Sequence, residues 1–227
     1  MTADFAHPEA DLSAYRLVVA PASYLLTAAA AENLRRYVEA GGTLLVSYFS
    51  GIVDEHDAVH PGGFGAPLRD VLGLTIEEFL PLRATERVGL DVPGLTGDVW
   101  VDDIALEGAA VVARYVDGPA AGRPAITRNS FGRGTAWYVS TRLSVDDPST
   151  VFSSGYRDAG IVRPELPDEV EVVRRHGIEV DYVVAINHSD DAVALPFEGV
   201  ELLSDELDKP RVHLVPAGGA SVLRMLR

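Results

Sequence analysis

Asp54, Glu55, His56, Asp57 and His60 form the densest group of residues able to do chemistry. Two imidazoles four residues apart, with carboxylates between them, hold a divalent cation when the segment is helical and both rings meet at one point. Gly51 precedes the group and Pro61-Gly62-Gly63 follows it, so a helix long enough to aim both rings does not fit, and spacing alone fixes no ligand geometry. The stretch from Ser50 to Gly65 therefore reads as a contact loop for another domain or subunit. Glu77 and Glu78 are adjacent carboxylates, as are Asp102 and Asp103. Neighbours in a strand point to opposite faces, so neither pair is pre-arranged as a general acid and base, and both are expected as solvated edge residues.

Other familiar patterns dissolve on inspection. Gly62-Gly63-Phe64-Gly65 lies between Pro61 and Pro67, without the strand and helix that a phosphate cradle needs, and is expected to be a turn. Gly132-Arg133-Gly134 leads into a strand-like run and is turn chemistry as well. No GxSxG occurs, so a nucleophile elbow is absent. Asn187-His188-Ser189 matches a glycosylation acceptor, but without a secretory signal it reads as a polar turn. Trp100 and Trp137 sit in strand runs, as core or interface residues rather than sugar platforms. With no cysteine in the chain, thiolate nucleophiles, disulfides and cysteine metal sites are excluded together. No catalytic, cofactor-binding or metal-binding residue is assigned, and no cofactor is expected.

The elements that would position any site start at Tyr15. Tyr15 to Pro21 is an apolar strand-like run, Thr27 to Ala40 carries Ala30, Leu34, Tyr37 and Val38 on one helix face, and Gly41-Gly42 ends that helix. Thr43 to Phe49 is a second apolar run. Strands apolar on both faces around a helix predict a right-handed βαβ unit of a parallel, helix-covered sheet. Pro67 to Leu72 reads as a short helix closed by Gly73, and Leu74 to Phe79 as a strand. Beyond Val88 come strand runs at Val99 to Val101, Ala109 to Tyr115, Pro124 to Ser130 and Thr135 to Ser140. A helix is predicted from Val145 to Gly160, with Asp146 or Asp147 as cap and Pro148 in its first turn. Arg163-Pro164-Glu165-Leu166-Pro167 is the linker candidate. Short runs after it (170–175, 179–187, 192–195, 200–203, 211–215 and 221–224) predict a small antiparallel β-sandwich. Two domains are expected, 1–163 and 164–227.

A hydrophobic content of 47% with 23% charged residues, over 227 residues, describes a folded globular chain. The net charge of −15 argues against nucleic acid or an anionic membrane as partner. All but one of the nineteen basic residues are arginine, Lys209 being the exception. No run reaches membrane-spanning length and the first residues have no signal-peptide pattern, so the expected compartment is the cytoplasm.

Tyr15 to Pro21, Tyr37-Val38-Glu39-Ala40-Gly41-Gly42 and Ser50-Gly51-Ile52-Val53-Asp54-Glu55 together resemble the middle domain of glycoside hydrolase family 42 β-galactosidases. Phe131 to Tyr138 and Val170 to Arg175 continue the similarity in order, and Ala185 to Ser189 fits the family's small C-terminal β domain. The resemblance implies an amidotransferase-like (flavodoxin-like) doubly wound α/β domain serving as a trimerisation domain, then a small β-sandwich. In such enzymes a (β/α)₈ barrel with two catalytic glutamates cleaves terminal β-galactosides with retention. That barrel has no counterpart here, so no catalytic glutamate carries over to any position. The opening strand and helix of the middle domain are also expected to be missing, with an apolar sheet edge or gap in consequence. The leading expectation is a non-catalytic, homo-oligomeric contact region, trimeric in the full-length family. The alternatives are a stand-alone amidotransferase-like or flavodoxin-like small-molecule domain, and a carbohydrate-binding module offering chiefly Tyr182 and Phe197.

Overall fold

A computed structural model describes residues 3–144, 149–162, 165–203 and 213–226. Asp146, Asp147, Pro148, Arg163, Pro164 and Arg211, which carried the expected cap, linker and strand start, lie outside the described residues. The chain divides into a compact unit of Ala6–Ile161 and a second unit running on from Val162.

The first unit opens with β1 (Leu17–Ala20), α1 (Ala28–Glu39) and β2 (Thr43–Ser47). The Thr27 hydroxyl caps α1 by accepting the Ala30 amide at 3.0 Å. Ala30, Ala31, Leu34, Tyr37 and Val38 form its buried face. β1 and β2 pair in parallel, Leu17 opposite Thr43, as the apolar runs predict. A 3₁₀ turn (Ala66–Leu68), α2 (Arg69–Leu72), β3 (Leu74–Pro81), β4 (Val88–Gly89) and β5 (Thr96–Leu106) follow. Then come β6 (Ala110–Arg114), β7 (Pro124–Phe131), β8 (Gly134–Val139), β9 (Thr141–Ser144) and α3 (Ser149–Asp158).

The doubly wound α/β reading of this unit is overturned. Fifteen strands stand against three α-helices among the described residues. Parallel pairing is confined to β1, β2 and β8 within the sheet β1-β2-β8-β7-β6; β8 pairs antiparallel with β7, and β7 with β6. A second, antiparallel sheet holds β3, β5 and β4, with β9 on β5. The error came from equating burial on both faces with helices on both faces. One face of the main sheet does meet α1 and α2, through Leu44, Val46, Ala136 and Tyr138. The other face, with Leu45, Ile126, Trp137 and Val139, is covered instead by residues of strands and loops such as Val88, Leu90, Leu95, Val101 and Tyr115. β1 lies at the sheet edge, with Val19 44% exposed, while no gap separates β1 from β2.

Two glycines are dictated by contact. A Cβ at Gly134 would run into the carbonyl oxygens of Val38 and Gly42, and one at Gly42 into the Tyr37 ring. The close approach of α1 to the start of β8 depends on both.

The second unit contains β10 (Val170–His176), β11 (Val180–Asn187), β12 (Val193–Ala194), β13 (Val200–Glu201), β14 (Leu214–Val215) and β15 (Ala220–Leu226). β10-β11-β15-β13 form one antiparallel sheet and β12-β14 another. Val170, Val183, Ala185, Leu195, Val215 and Leu223 make its core, in the manner of a small sandwich.

Candidate functional site

The acidic loop after β2 is ordered by its own backbone. The Ile52 amide bonds to the Tyr24 carbonyl and the Leu26 amide to the Val53 carbonyl, both at 2.9 Å, and Val53 bridges Leu25 on one side and Val59 on the other. Asp54 accepts the amides of His56 and Ala58 at 2.9 and 3.0 Å, and those bonds, that of Ala58 first, hold its carboxyl below the ordinary range. His60 places Nε2 2.9 Å from the Leu26 carbonyl. Asp57 accepts a bond from the Tyr24 hydroxyl at 3.0 Å. Asp54, Asp57 and His60 thus brace a turn with their side chains, and among the described residues no group of three or more His, Asp or Glu side chains is placed to hold a metal ion.

Beside this loop the structure assembles something the sequence scatters: an aromatic face. Tyr24 stacks on Phe49 with centroids 5.2 Å apart, Phe49 meets Trp100 edge-on at 5.0 Å, and Trp100 touches Phe79 at 5.0 Å. Tyr48 lies 6.5 Å from Trp100, and Phe64 stacks on Phe79 at 3.8 Å. Tyr24, Leu25, Val59 and Val99 are 37, 48, 59 and 42% exposed. Leu25 follows Tyr24, Val99 precedes Trp100, and Val53 bridges Leu25 and Val59, so exposed apolar side chains flank the cluster, a feature that marks contact sites.

Backbone conformation produces this face. Phe49, just past β2, has φ of 60°, and Val99 has φ of 67°. The left-handed region is costly for a β-branched residue, and such strain persists where surroundings enforce it. Val99 and Trp100 are two extra residues in the β5–β9 ladder, which steps from Asp98↔Arg142 directly to Val101↔Thr141. Bulges re-aim side chains, and this one turns Trp100 toward Phe49.

Beneath Trp100 sits Asp102, fully buried. It accepts the indole Nε1–H of Trp100 and the Tyr138 hydroxyl, each at 2.6 Å. Burial pushes its carboxyl up to about 7, opposed by those two bonds. The expectation of a solvated Asp102 was therefore wrong. The signal was present: a tryptophan two residues away on the same strand needs an acceptor for its N–H when half-buried. Asp103, on the other face, pairs with Arg123, which also reaches Glu77 at 3.6 Å; Glu77 and Glu78 are exposed.

Trp137 is a core residue whose Nε1 donates to Asp158 at 2.9 Å. Gly132-Arg133 is the two-residue turn between β7 and β8. Asn187 is buried and its amide donates to the carbonyls of Asp191, Val215 and Pro216, while its oxygen accepts from Ser189. Its side chain is consumed by the turn. Phe197 packs against the core of the second unit with the Arg174 guanidinium 6.0 Å above its ring, so it presents no open platform.

A groove of about 730 Å³ is lined by residues including Glu9, Asp11, Arg16, Arg36, Gly41 and Asp158. It lies at the amino ends of β1 and β2, opposite the end where parallel sheets place ligands. Its acids are engaged: Glu9 with the Thr27 hydroxyl, Asp11 with the Ser13 amide, Asp158 with Arg128 and Trp137.

Comparison with known proteins adds a family. The model described as the β-galactosidase trimerisation domain matches residues 1–162. Beta-galactosidase BgaB of a Geobacillus species is 38% identical over 209 residues, which are 90% of this chain and 31% of that protein. Beta-galactosidase BglY of Alicyclobacillus acidocaldarius is 37% identical over 97% of this chain and 34% of its own length. The crystal structure of the β-galactosidase from Bacillus circulans sp. alkalophilus superposes with a TM-score of 0.88 at 29% identity, covering 96% of this chain and 34% of that one. The chain thus spans about a third of the length of the relatives it matches.

Proposed function

The chain belongs to the β-galactosidase trimerisation-domain family, and from that premise we propose that it is the non-catalytic subunit-contact region of a homotrimeric enzyme that hydrolyses terminal β-galactosides. The observation that carries the contact role is the aromatic face of Tyr24, Phe49 and Trp100, rimmed by exposed Leu25, Val59 and Val99. In a closed three-fold ring each contact joins two different patches, so this face meets another surface of the next copy.

The non-catalytic part of the reading rests on the carboxylates. Retaining hydrolysis needs two carboxyl groups about 5 Å apart, one of them kept protonated. Asp102, raised to about 7, is buried beneath Trp100. In the groove, Asp11 is held below the ordinary range by the Ser13 amide. Sedimentation of the wild type against a Leu25→Asp, Val59→Asp double variant tests the contact role. The wild type is expected as a trimer, with association at least about tenfold weaker in the variant. A wild type that stays monomeric, or a variant that associates equally well, would refute it. Measurable turnover of a chromogenic β-galactoside would refute the non-catalytic assignment.

A further inference from the structure

We propose that Asp102 is a positioning residue whose ionisation sets how firmly Trp100 is held in the aromatic face, and thereby how strongly that face binds a second copy of the chain. The coupling rests on the contact role proposed above; the hold on Trp100 does not.

The geometry is closed. Asp102 is fully buried, and its two oxygens divide between two donors, Oδ1 taking the Trp100 N–H and Oδ2 the Tyr138 O–H. An indole N–H can only donate, so a proton on Oδ1 would turn that oxygen into a poorer acceptor and find no acceptor in Trp100. Oδ2 is the favoured site for the proton, since the Tyr138 hydroxyl beside it can turn to accept. In that state Trp100 keeps a neutral acceptor in place of a charged one, a bond roughly half as strong. Pro81 of β3 and the rings of Phe49 and Phe79 hold the rest of Trp100. On the β9 side, however, it sits on a two-residue bulge beside strained Val99, so the Asp102 bond is what fixes the N–H end of the indole.

The surroundings favour titration in the neutral range. Facing Asp102 are Tyr138 of β8 and the Tyr115 phenol, which lies beyond Ser140 at 2.6 Å from its hydroxyl. From β3 its register partner is uncharged Phe79, while Glu78 pairs with Asp103 on the opposite face. Arg123 is bonded to Asp103 and Glu77, and Arg87 and Arg142 to Asp98. Among the described residues no ion pair reaches Asp102. Burial accordingly dominates and lifts its carboxyl to about 7.

The chain has two tryptophans, so the indole N–H region of a ¹⁵N-correlation spectrum contains one resonance for Trp100 and one for Trp137. A pH series is expected to move the Trp100 resonance with a midpoint near 7. Asp102→Asn should abolish that movement, and Tyr138→Phe, by removing a bond that favours the charged form, should carry the midpoint upward. Sedimentation over the same series should show association about tenfold weaker on the acid side. A Trp100 resonance that does not titrate, or that titrates equally in Asp102→Asn, overturns the proposal. So does association that ignores pH while the resonance moves. A chain that never associates overturns the contact role and the coupling with it, leaving the hold of Asp102 on Trp100 as a separate result.

Discussion

Asp102 makes a stability statement as well as a positioning one. Its folded value of about 7 lies above the unfolded value of 3.8. A raised folded value means that the native state binds the proton more tightly, so the contribution is fully present below about 3.8 and is lost as pH rises through about 7. The expected loss is on the order of a few kcal/mol. Urea unfolding of the wild type and of Asp102→Asn across that window should show the slope in the first and its flattening in the second; parallel curves would assign the slope to other groups. Asn187 is the comparable residue of the second unit. Replacing it by alanine removes a donor from the carbonyls of Asp191, Val215 and Pro216. Asp191 keeps the Ser189 hydroxyl and Pro216 the Gly219 amide, so the loss falls mainly on Val215 and should cost about 1–2 kcal/mol in denaturant unfolding. Both residues look solvated in the sequence, where a two-residue polar cluster and a glycosylation-like triplet carry no mark of depth.

At the scale of elements, the strained bulge of β5 trades stability for the aromatic face. Val99→Gly releases the left-handed strain at φ of 67° and should raise the free energy of unfolding by about 1 kcal/mol. The same change removes an exposed apolar group, so association should weaken as the melting temperature rises. If both fell together, strain would not be what Val99 stores. Local elements were largely legible in the sequence. Periodicity and the Gly41-Gly42 stop place α1, and the alternating runs after residue 165 place β10, β11 and β15, because each signal lies within one segment. The bulge was not legible, since it exists only in the register of β5 against β9. Nor was the layer over Leu45, Trp137 and Val139: a buried face reads the same whether a helix or a strand covers it. The aromatic face drew on four separate stretches, 24–25, 48–49, 59–64 and 79–100, which only folding brings together.

For the whole molecule the net charge of −15 sets the terms of assembly. Identical acidic copies repel one another, and salt screens that repulsion while leaving apolar contact almost untouched. Raising the salt concentration should therefore tighten association, as read from sedimentation at constant pH; weaker association at high salt would point instead to ion pairs across the interface. Among the described residues no helix is long and apolar enough to cross a membrane. Charge and composition could be read directly from the sequence, whereas the pairing of strands into several sheets could not, because it is decided by contacts between distant segments.

The dipeptide Val99-Trp100 stands outside the ladder that β5 makes with β9. Because the side-chain period of a strand is two, excising both residues leaves every later position facing the way it did, while excising one turns the remainder of the strand inside out. Neither excision is free, however: losing the pair also takes away the register partner of Pro81, the acceptor of the Leu82 amide and the donor to Asp102, so the length of this segment is fixed by β3 even where β9 ignores it.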